Sequence, residues 1–485
     1  MKFVIRTDSS FTIGSGHVVR CLTLAQNLQR WGHVVSFVCK NLDTNLNHLV
    51  SEAGFDLHQI DAKLDTQDDA LQTAELIHKL SSDWLIVDHY GLDQGWEEAV
   101  RTKAQQDIKI FAIDDGFERE HAVDLFLNQS SLEQTQNISQ KIEQALIGPH
   151  YALLRPQFFK NRPSVVLAKG LSHLMVFFGG TDPLRLSLPV IKTLSKQNVF
   201  SKITVVITSQ HPDKEDIKVF CDQKNVFELK QDVADMAALM AQCDLYLGAA
   251  GTITWERCCL GLTGAVVTVS DNQIPIAEAL DQQACHVFLA DGTKRNQNQI
   301  LKEIENFHWQ KSVWQDYRQN SLGLVDGLGV QRVTSFLDRQ AVYFEEAKAD
   351  DSKMIWQWRN SPEVRKTALD QSEIPWDNHK EWFKKVLQDP NRKLLVAYAE
   401  NQKIGVVRFD LQGNEAEISI FLDPDQIGRS WGVAVLNGAR FWLQDCCAKI
   451  QKIKAVIRED NPRSQIVFER AGYAKQEHAF ERQVR

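Results

Sequence analysis

The sequence predicts an α/β protein in which two parallel-sheet domains are followed by a third, α+β domain. Short apolar runs alternate with amphipathic stretches up to about residue 160, and the same alternation restarts near residue 174. From Ala341 the pattern changes to a tryptophan-rich helical segment followed by antiparallel-type strands. Because 485 residues are too many for one core, we expect domains at residues 1–160, 161–340 and 341–485.

The first domain is predicted from short apolar strands separated by helical periodicity. The strand-like runs are residues 3–5, 34–38, 84–88, 109–114 and 124–128. This alternation is typical of a parallel sheet covered on both faces, in which ligands bind beyond the carboxyl ends of the strands. Polar groups follow several strands at that edge, namely Asp88-His89-Tyr90, Asp114-Asp115 and Asn128-Gln129.

The loop after the first strand, residues 8–20, is the most informative segment of this domain. Gly14 and Gly16 let the backbone approach a phosphate, and the helix that follows offers free N–H groups and the positive end of its dipole. His17 is the one side chain of the loop that can move a proton near neutral pH. Its alternative role is helix capping or packing, and the G-x-G-x-x-G spacing of dinucleotide sites is absent.

The second domain is predicted from strands at residues 174–178, 203–208, 245–247 and 264–269. Glycine turns follow two of them, at residues 179–183 and 248–252. The second turn opens a helix and can hold a diphosphate. Glu256, about one turn into that helix, can accept both hydroxyls of a ribose, or it is simply a solvated glutamate. Residues 270–273 leave another strand end and are expected to face the same cleft.

The third domain is predicted from a helix at residues 354–359 and strands at 393–398, 403–409 and 416–421. The turn Glu400-Asn401-Gln402 indicates a hairpin between the first two strands. Residues 422–434 then lead from a strand into a helix. Backbone amides at such a turn can hold a pyrophosphate without the lysine of a P-loop.

Composition excludes several classes of function. A formal net charge of -8 and a pI near 6.0 argue against a general nucleic-acid binder. No stretch approaches the roughly 20 apolar residues that span a bilayer, and the N-terminus lacks signal-peptide architecture. The nine cysteines have neither C-x-x-C nor zinc-ligand spacing, so we expect reduced thiols, a cytoplasmic location and no metal.

Over residues 1–338 the sequence resembles the UDP-sugar hydrolases of pseudaminic acid biosynthesis. The resemblance is carried by Arg6-Thr7-Asp8, Ile13 to Cys21, Phe178 to Pro183, Gly251 to Glu256, and Asn272-Gln273. It implies two Rossmann-like domains of the glycosyltransferase-B type. Ala249-Ala250 and Thr252 depart from the glycine and serine that are usual there.

The resemblance implies hydrolysis of UDP-2,4-diacetamido-2,4,6-trideoxy-β-L-altropyranose to the free sugar and UDP. His17 then falls on the catalytic base. The implied substrate-binding residues are Asp8, Gly14, Gly16, Arg20, Gly180, Thr181, Gly251, Thr252, Glu256, Asn272 and Gln273.

Over residues 341–485 the sequence resembles the GNAT acetyltransferases, whose co-substrate is acetyl-CoA. The run Arg429 to Ala434 fits their pyrophosphate motif R/Q-x-x-G-x-G/A. Trp358-Arg359-Asn360, His379 and Trp382 look like the subgroup that acetylates amino sugars and protein N-termini. Phe468 stands where many relatives have a tyrosine that protonates the leaving thiolate. The implied acetyl-CoA-binding residues are Leu422, Arg429, Ser430, Gly432, Val433, Ala434 and Asn461.

The two resemblances together imply a bifunctional enzyme, because in that pathway acetylation of the UDP-linked 4-amino sugar directly precedes the hydrolysis. The expected partners are the UDP-linked amino sugar, acetyl-CoA and neighbouring pathway enzymes, with no nucleic acid and no membrane span. One alternative is a glycosyltransferase that uses the same UDP-sugar cleft. Another is a hydrolase whose C-terminal domain binds acetyl-CoA only to regulate it.

Overall fold

The computed structural model describes residues 1–10, 13–116, 118–132, 141–163, 171–309, 312–476 and 479–484. The chain divides into two compact units, Met1–Val330 and Gln331–Arg485. The first unit contains two parallel sheets and the second one mixed sheet. The predicted fold class is therefore confirmed, whereas the three-domain boundaries at residues 160 and 340 stay predictions.

The first half of unit one alternates strands and helices. Its elements are β1 Lys2–Thr7, α1 Gly16–Arg30, β2 Val34–Lys40, α2 Asn47–Glu52, β3 Asp56–Ile60, α3 Thr66–Leu80, β4 Trp84–Asp88, α4 Gln94–Lys103, β5 Lys109–Ile113, β6 Leu125–Asn128, β7 Gln144–Ile147 and α5 Pro156–Asn161. The strands form a parallel sheet in the order β3-β2-β1-β4-β5-β6-β7. This order brings β1 and β4 together, and Thr7 pairs with Asp88 at their carboxyl ends.

The second half of unit one repeats the arrangement. Its elements are β8 His173–Phe177, α6 Ser187–Leu194, β9 Lys202–Ile207, α7 Lys214–Asp222, β10 Phe227–Gln231, α8 Met236–Gln242, β11 Leu245–Ala249, α9 Ile253–Leu260, β12 Gly264–Thr268, α10 Ile274–Gln282, β13 Val287–Asp291, α11 Gln297–Asn306, α12 Trp314–Leu324 and α13 Gly329–Leu337, the last ending in unit two. The parallel order is β10-β9-β8-β11-β12-β13. Gly248 is needed within β11, since a Cβ there would lie 1.8 Å from the carbonyl oxygen of Phe177.

Unit two has a mixed sheet. Its elements are β14 Tyr343–Glu346, α14 Ser352–Asn360, α15 Pro362–Thr367, α16 Trp376–Gln388, β15 Arg392–Ala399, β16 Gln402–Gln412, β17 Glu415–Leu422, α17 Trp431–Cys446, β18 Lys452–Ala455, α18 Pro462–Arg470, β19 Ala474–Lys475 and β20 Phe480–Gln483. The order is β14-β15-β16-β17-β18-β20-β19. The pair β17–β18 is parallel and covers only Glu415–Glu417 of β17, so the two strands part before β17 ends.

The cores follow the apolar patterning of these strands. The central strands of unit one are buried on both faces, as Ile5 of β1, Ile86 of β4 and Leu247 of β11 illustrate. All nine cysteines are free thiols. Within the described residues, helices of the length and hydropathy needed to cross a membrane are absent.

Candidate functional site

The loop between β1 and α1 presents the start of α1 at the carboxyl edge of the first sheet. Gly14 has a φ of +85°, which an L side chain rarely adopts, and its N–H donates to the carbonyl of Ser10 at 2.8 Å. Helix α1 begins at Gly16 without a side-chain cap from Ser15. Its first N–H groups are therefore available to an anion. Residues 11 and 12 of the predicted loop lie outside the described residues.

His17, in the first turn of α1, is paired with a buried carboxylate. Its Nδ1 lies 2.5 Å from Oδ1 of Asp88, the last residue of β4. Asp88 is fully buried, and although burial alone would raise its pKa, the charges of Arg20 and His17 hold that pKa far below its usual range. An ionised carboxylate only accepts hydrogen bonds, so Nδ1 carries the hydrogen. Nε2 is then the ring atom that can accept a proton.

Arg20, one turn further along α1, clamps two carboxylates. Its Nε and Nη2 each donate to an oxygen of Asp88 at 2.6 Å, and its Nη1 donates to Asp115 at 2.7 Å. A bidentate guanidinium–carboxylate pair fixes the plane of the carboxylate. Arg20 therefore orients the partner of His17. Its predicted role in substrate binding stays a prediction.

Tyr90, just beyond β4, stands beside His17. Its ring meets the imidazole edge-on, with centroids 4.5 Å apart, and its hydroxyl donates to Asp115 at 2.7 Å. The guanidinium of Arg119 lies over the ring at 4.9 Å. The side chain is thus held from three sides, yet the residue is 37% exposed. Sequence reasoning placed Asp88, Tyr90 and Asp115 at this edge but did not select them as site residues.

A cavity of 220 Å³ adjoins this group and is lined from both halves of unit one. The predicted site residues that line it are Gly16, Arg20, Thr252 and Glu256. A Cβ at Gly16 would lie 2.9 Å from Cγ2 of Thr252, so the glycine permits the two loops to meet. The other predicted residues of unit one lie outside the lining: Asp8, Gly14, His17, Gly180, Thr181, Gly251, Asn272 and Gln273.

Glu256 reaches the cavity from the first turn of α9. Its Oε1 accepts a hydrogen bond from Nη2 of Arg155 at 3.2 Å. Burial raises the pKa of Glu256, and Arg155 opposes that rise. Sequence reasoning missed Arg155. The pairing of two residues 101 positions apart has no local signal.

Several predicted residues of unit one hold the loops rather than line the cavity. Asp8 is buried and accepts two hydrogen bonds from Arg6, at 2.7 and 2.9 Å, and one from the backbone of Lys40. The carbonyl of Gly180 accepts from Thr208 at 2.5 Å. Asn272 and Gln273 bond within their own turn, to Ser270 Oγ and the Val269 N–H. Thr181 and Gly251 lie in the turns after β8 and β11.

The predicted acetyl-CoA turn of unit two has the geometry of an anion site. Beyond Leu422, Gly428 and Ser430 have φ values of +94° and +67°, and Ser430 is the N-cap of α17. The first turn of α17 has no acidic residue. Its N–H groups can therefore meet a phosphate without a competing charge. Arg429, Val433 and Ala434 lie in the same turn.

Two residues of that region have packing roles as well. A Cβ at Gly432 would lie 2.8 Å from Cγ1 of Val467, so the glycine lets α17 pack on α18. Asn461 caps α18 through the Ser464 N–H at 3.1 Å and donates to Thr367 at 3.2 Å. Phe468 is 5% exposed and packs in the core, so it has neither the hydroxyl nor the position of a proton donor.

A second cavity, of 350 Å³, lies between α14, α16 and the sheet of unit two. Most of its wall is apolar. Its polar lining residues are Arg359, Asn378, His379, Arg408 and Ser419. Arg359 donates through Nη2 to the carbonyl of Asp370 at 2.8 Å, and its Nη1 is buried without a hydrogen-bond partner among the described residues. An anion entering the cavity would find an unused donor there.

Comparison with known proteins agrees with this division of the chain. A family model described as acetyltransferase (GNAT) domain matches residues 342–474. Uncharacterized protein MJ1062 of Methanocaldococcus jannaschii is 24% identical over 98% of this chain and 97% of its own length. Two Campylobacter jejuni proteins match parts of the chain. UDP-2,4-diacetamido-2,4,6-trideoxy-beta-L-altropyranose hydrolase is 25% identical over 59% of this chain and 98% of its own length. Acetyltransferase PseH is 25% identical over 24% of this chain and 73% of its own length.

The solved structure of Acinetobacter baumannii MurG covers 70% of this chain and 99% of its own, with a TM-score of 0.51 and 14% identity. This likeness concerns the fold alone. The N-terminal part of the chain thus has the glycosyltransferase-B type of fold and is homologous to the sugar-nucleotide hydrolase, and its C-terminal part has the GNAT fold and matches that family's model.

Proposed function

We propose that this chain is a bifunctional sugar-nucleotide enzyme of pseudaminic acid type biosynthesis. Its C-terminal domain transfers an acetyl group to the amine of a UDP-linked 4-amino-4,6-dideoxy sugar. Its N-terminal part then hydrolyses UDP-2,4-diacetamido-2,4,6-trideoxy-β-L-altropyranose to the free sugar and UDP. One Campylobacter relative is named as this hydrolase and the other as an acetyltransferase, which supports the presence of both activities on one chain. The cytoplasmic location and the absence of a metal stay predictions.

The observation that carries the hydrolase assignment is the His17–Asp88 pair beside the 220 Å³ cavity. In the proposed reaction Nε2 of His17 takes a proton from the attacking water. The water oxygen bonds to the anomeric carbon as the bond from that carbon to the diphosphate oxygen breaks. Asp88 stabilises the imidazolium that forms, and Arg20 holds Asp88 in place.

The leaving UDP is proposed to sit on the second half of unit one. Thr252 and Ile253, where α9 begins, both line the cavity, and their N–H groups would stabilise the diphosphate. Glu256 would accept the ribose hydroxyl hydrogens through its carboxylate. Its present partner, Arg155, lines the same cavity and can remain bonded, since a carboxylate has room for several donors.

The acetyl-transfer site is proposed from two features of unit two. The pyrophosphate of acetyl-CoA would bind the N–H groups of α17 at residues 431–434. Its pantetheine arm would follow the part of β17 that β18 leaves unpaired. The acceptor would occupy the 350 Å³ cavity, where Arg359 and Arg408 suit the diphosphate of a nucleotide-linked amine.

The test is NMR of the intact chain supplied with acetyl-CoA and the UDP-linked 4-amino sugar. We expect the acetylated UDP-sugar to appear first and the free diacetamido sugar with UDP to follow. Sugar transfer to an added acceptor in place of water would instead identify a glycosyltransferase. Hydrolysis of pre-acetylated substrate without any acetyl transfer would leave the C-terminal domain a regulatory role.

A further inference from the structure

Among the described residues that line the 350 Å³ cavity of unit two, one can gain or lose a proton near neutral pH. The cavity's other polar lining residues are two arginines, an asparagine and a serine. Arginine stays charged at any physiological pH, and amides and hydroxyls do not titrate there. The remaining group is the imidazole of His379.

His379 is held in a defined tautomer. Its Nε2 lies 2.9 Å from the carbonyl oxygen of Ser352, at the start of α14. A carbonyl can only accept, so Nε2 carries the hydrogen and Nδ1 keeps its lone pair. The ring is stacked on Trp376 at 5.6 Å, with Trp382 and Phe383 each 5.5 Å away. Backbone and aromatic neighbours thus fix both the tautomer and the orientation of the ring.

The surroundings favour the neutral imidazole. Burial lowers the pKa of His379, although the Ser352 carbonyl acts in the opposite direction. On the elements that surround it, Asp351 is paired with Lys403, Asp377 with Lys380 and Asp410 with Arg408. Arg359 lines the same cavity, and Lys353 and Glu381 lie on α14 and α16. Among the described residues, the ring is hydrogen-bonded to the Ser352 carbonyl and not to a carboxylate that would stabilise an imidazolium.

We propose that His379 is the general base of acetyl transfer, with Nδ1 taking a proton from the acceptor's ammonium group. The proposal rests on the proposed acetyltransferase function. The free amine then attacks the thioester carbonyl, forming the C–N bond, and the C–S bond breaks. The second proton of the amine goes to the departing thiolate, and His379 returns the first to solvent. The sum is one amide, one CoA thiol and one released proton.

Phe468 fits this assignment. Phe468 is buried and has no hydroxyl that could protonate the thiolate. In the proposed reaction the amine is therefore deprotonated by His379 before it attacks, and it supplies its second proton to the thiolate directly. Removal of the first proton from the ammonium group is therefore the proton transfer that a protein side chain assists. A positioned base typically contributes about 10²- to 10⁴-fold to such a step.

The test compares His379→Gln with the intact wild-type chain, using acetyl-CoA and the UDP-linked 4-amino sugar. The glutamine amide can still donate to Ser352, so α14 and α16 remain joined. We expect kcat/KM to fall by about 10²- to 10⁴-fold at pH 7. The deficit should shrink as the pH passes the pKa of the acceptor amine, about 8 for a comparable α-amino group, because free amine then needs no base. The control Asn378→Ala lines the same cavity and should raise KM without changing the pH profile.

Three outcomes decide the matter. If His379→Gln lowers kcat/KM by the same factor at every pH, or only raises KM, His379 is not the general base and instead has a structural or binding role. A wild-type chain that acetylates nothing overturns the proposed acetyltransferase function itself, and the base with it. Nitrogen chemical shifts of His379 supply a readout besides activity: the Nε2–H tautomer at neutral pH supports the proposal, and a protonated ring contradicts it.

Discussion

The two histidines His17 and His379 occupy comparable places but have opposite surroundings. Each lies near the start of a helix beside a cavity, and each has one ring nitrogen bonded so that the other can accept a proton. His17 is bonded to a buried carboxylate within an ionic network, whereas His379 is bonded to a backbone carbonyl among aromatic rings. A carboxylate stabilises the imidazolium after proton transfer, and a carbonyl only selects the tautomer.

The difference matches the acids that the two bases are proposed to meet. Water is a very weak acid, so a base that removes its proton in the transition state benefits from a negative neighbour that stabilises the developing imidazolium. An ammonium group gives up its proton near neutral pH, so a neutral imidazole without a carboxylate partner suffices. The ionic network of unit one and the aromatic wall of unit two therefore suit different proton donors.

The largest expected effect concerns Asp88, the carboxylate partner of His17. Asp88→Asn keeps the size of the side chain but removes its charge and replaces one of its two acceptor oxygens by a donor NH2 group, so the tautomer of His17 is no longer fixed. We expect kcat for hydrolysis to fall by about 10²- to 10⁴-fold, measured as UDP release from the diacetamido UDP-sugar. UDP affinity should hardly change. A fully active Asp88→Asn would mean that the carboxylate does not serve His17.

The second effect is on nucleotide binding in unit one. Glu256→Ala should raise KM by about 10- to 100-fold, the range for lost hydrogen bonds to a charged group, with kcat nearly unchanged because the ribose is bound equally in the ground and transition states. Steady-state kinetics with the UDP-sugar test this. A loss confined to kcat would place Glu256 at the reacting centre instead.

The third effect concerns acetyl-CoA binding at the N-cap of α17 in unit two. Ser430→Asp puts a negative charge at the N-cap of α17, where its left-handed φ still suits aspartate. Calorimetry should give acetyl-CoA affinity weakened about tenfold through repulsion of the pyrophosphate. The neutral isostere Ser430→Asn is the matched control and should bind almost normally. Equal affinities of the two variants would place the pyrophosphate elsewhere.

The smallest effect concerns stability and pH. Buried His121 lies between Glu97 at 2.6 Å and Asp114 at 3.1 Å. Burial alone would lower the pKa of His121, but the two carboxylates raise it to about 9. Because the folded pKa lies above the unfolded value of about 6.5, this stabilisation is complete below pH 6.5 and is lost as the pH rises through 9. It amounts to at most about 3 kcal/mol.

Urea unfolding of the wild type at several pH values across that window measures this loss. His121→Gln should be less stable at low pH and should lose the part of the pH dependence that comes from this group. A wild type whose stability does not decline between those two pKa values would contradict the ion cluster.

Much of this arrangement was predictable from the sequence. The alternation of apolar strands with helical periodicity predicted both parallel sheets. The glycine turns predicted that helices follow the first strand, residues 248–252 and the turn within residues 422–434, and the structure has α1, α9 and α17 there. The partners were not predictable, because they depend on sheet order. Asp88 meets His17 only because β4 pairs with β1, which no local pattern states. Gly432 was assigned to phosphate approach, yet its contact with Val467 shows that packing of α17 on α18 also requires it.

The most direct test of the central claim uses His17→Asn, supplied with acetyl-CoA and the UDP-linked 4-amino sugar and followed by NMR. Because the proposed sites act in succession on one chain, blocking the second should leave the first at work. We expect the acetylated UDP-sugar to accumulate while free diacetamido sugar and UDP do not form at an appreciable rate. Release of free sugar at the wild-type rate, or failure of the acetylated intermediate to form, would contradict it.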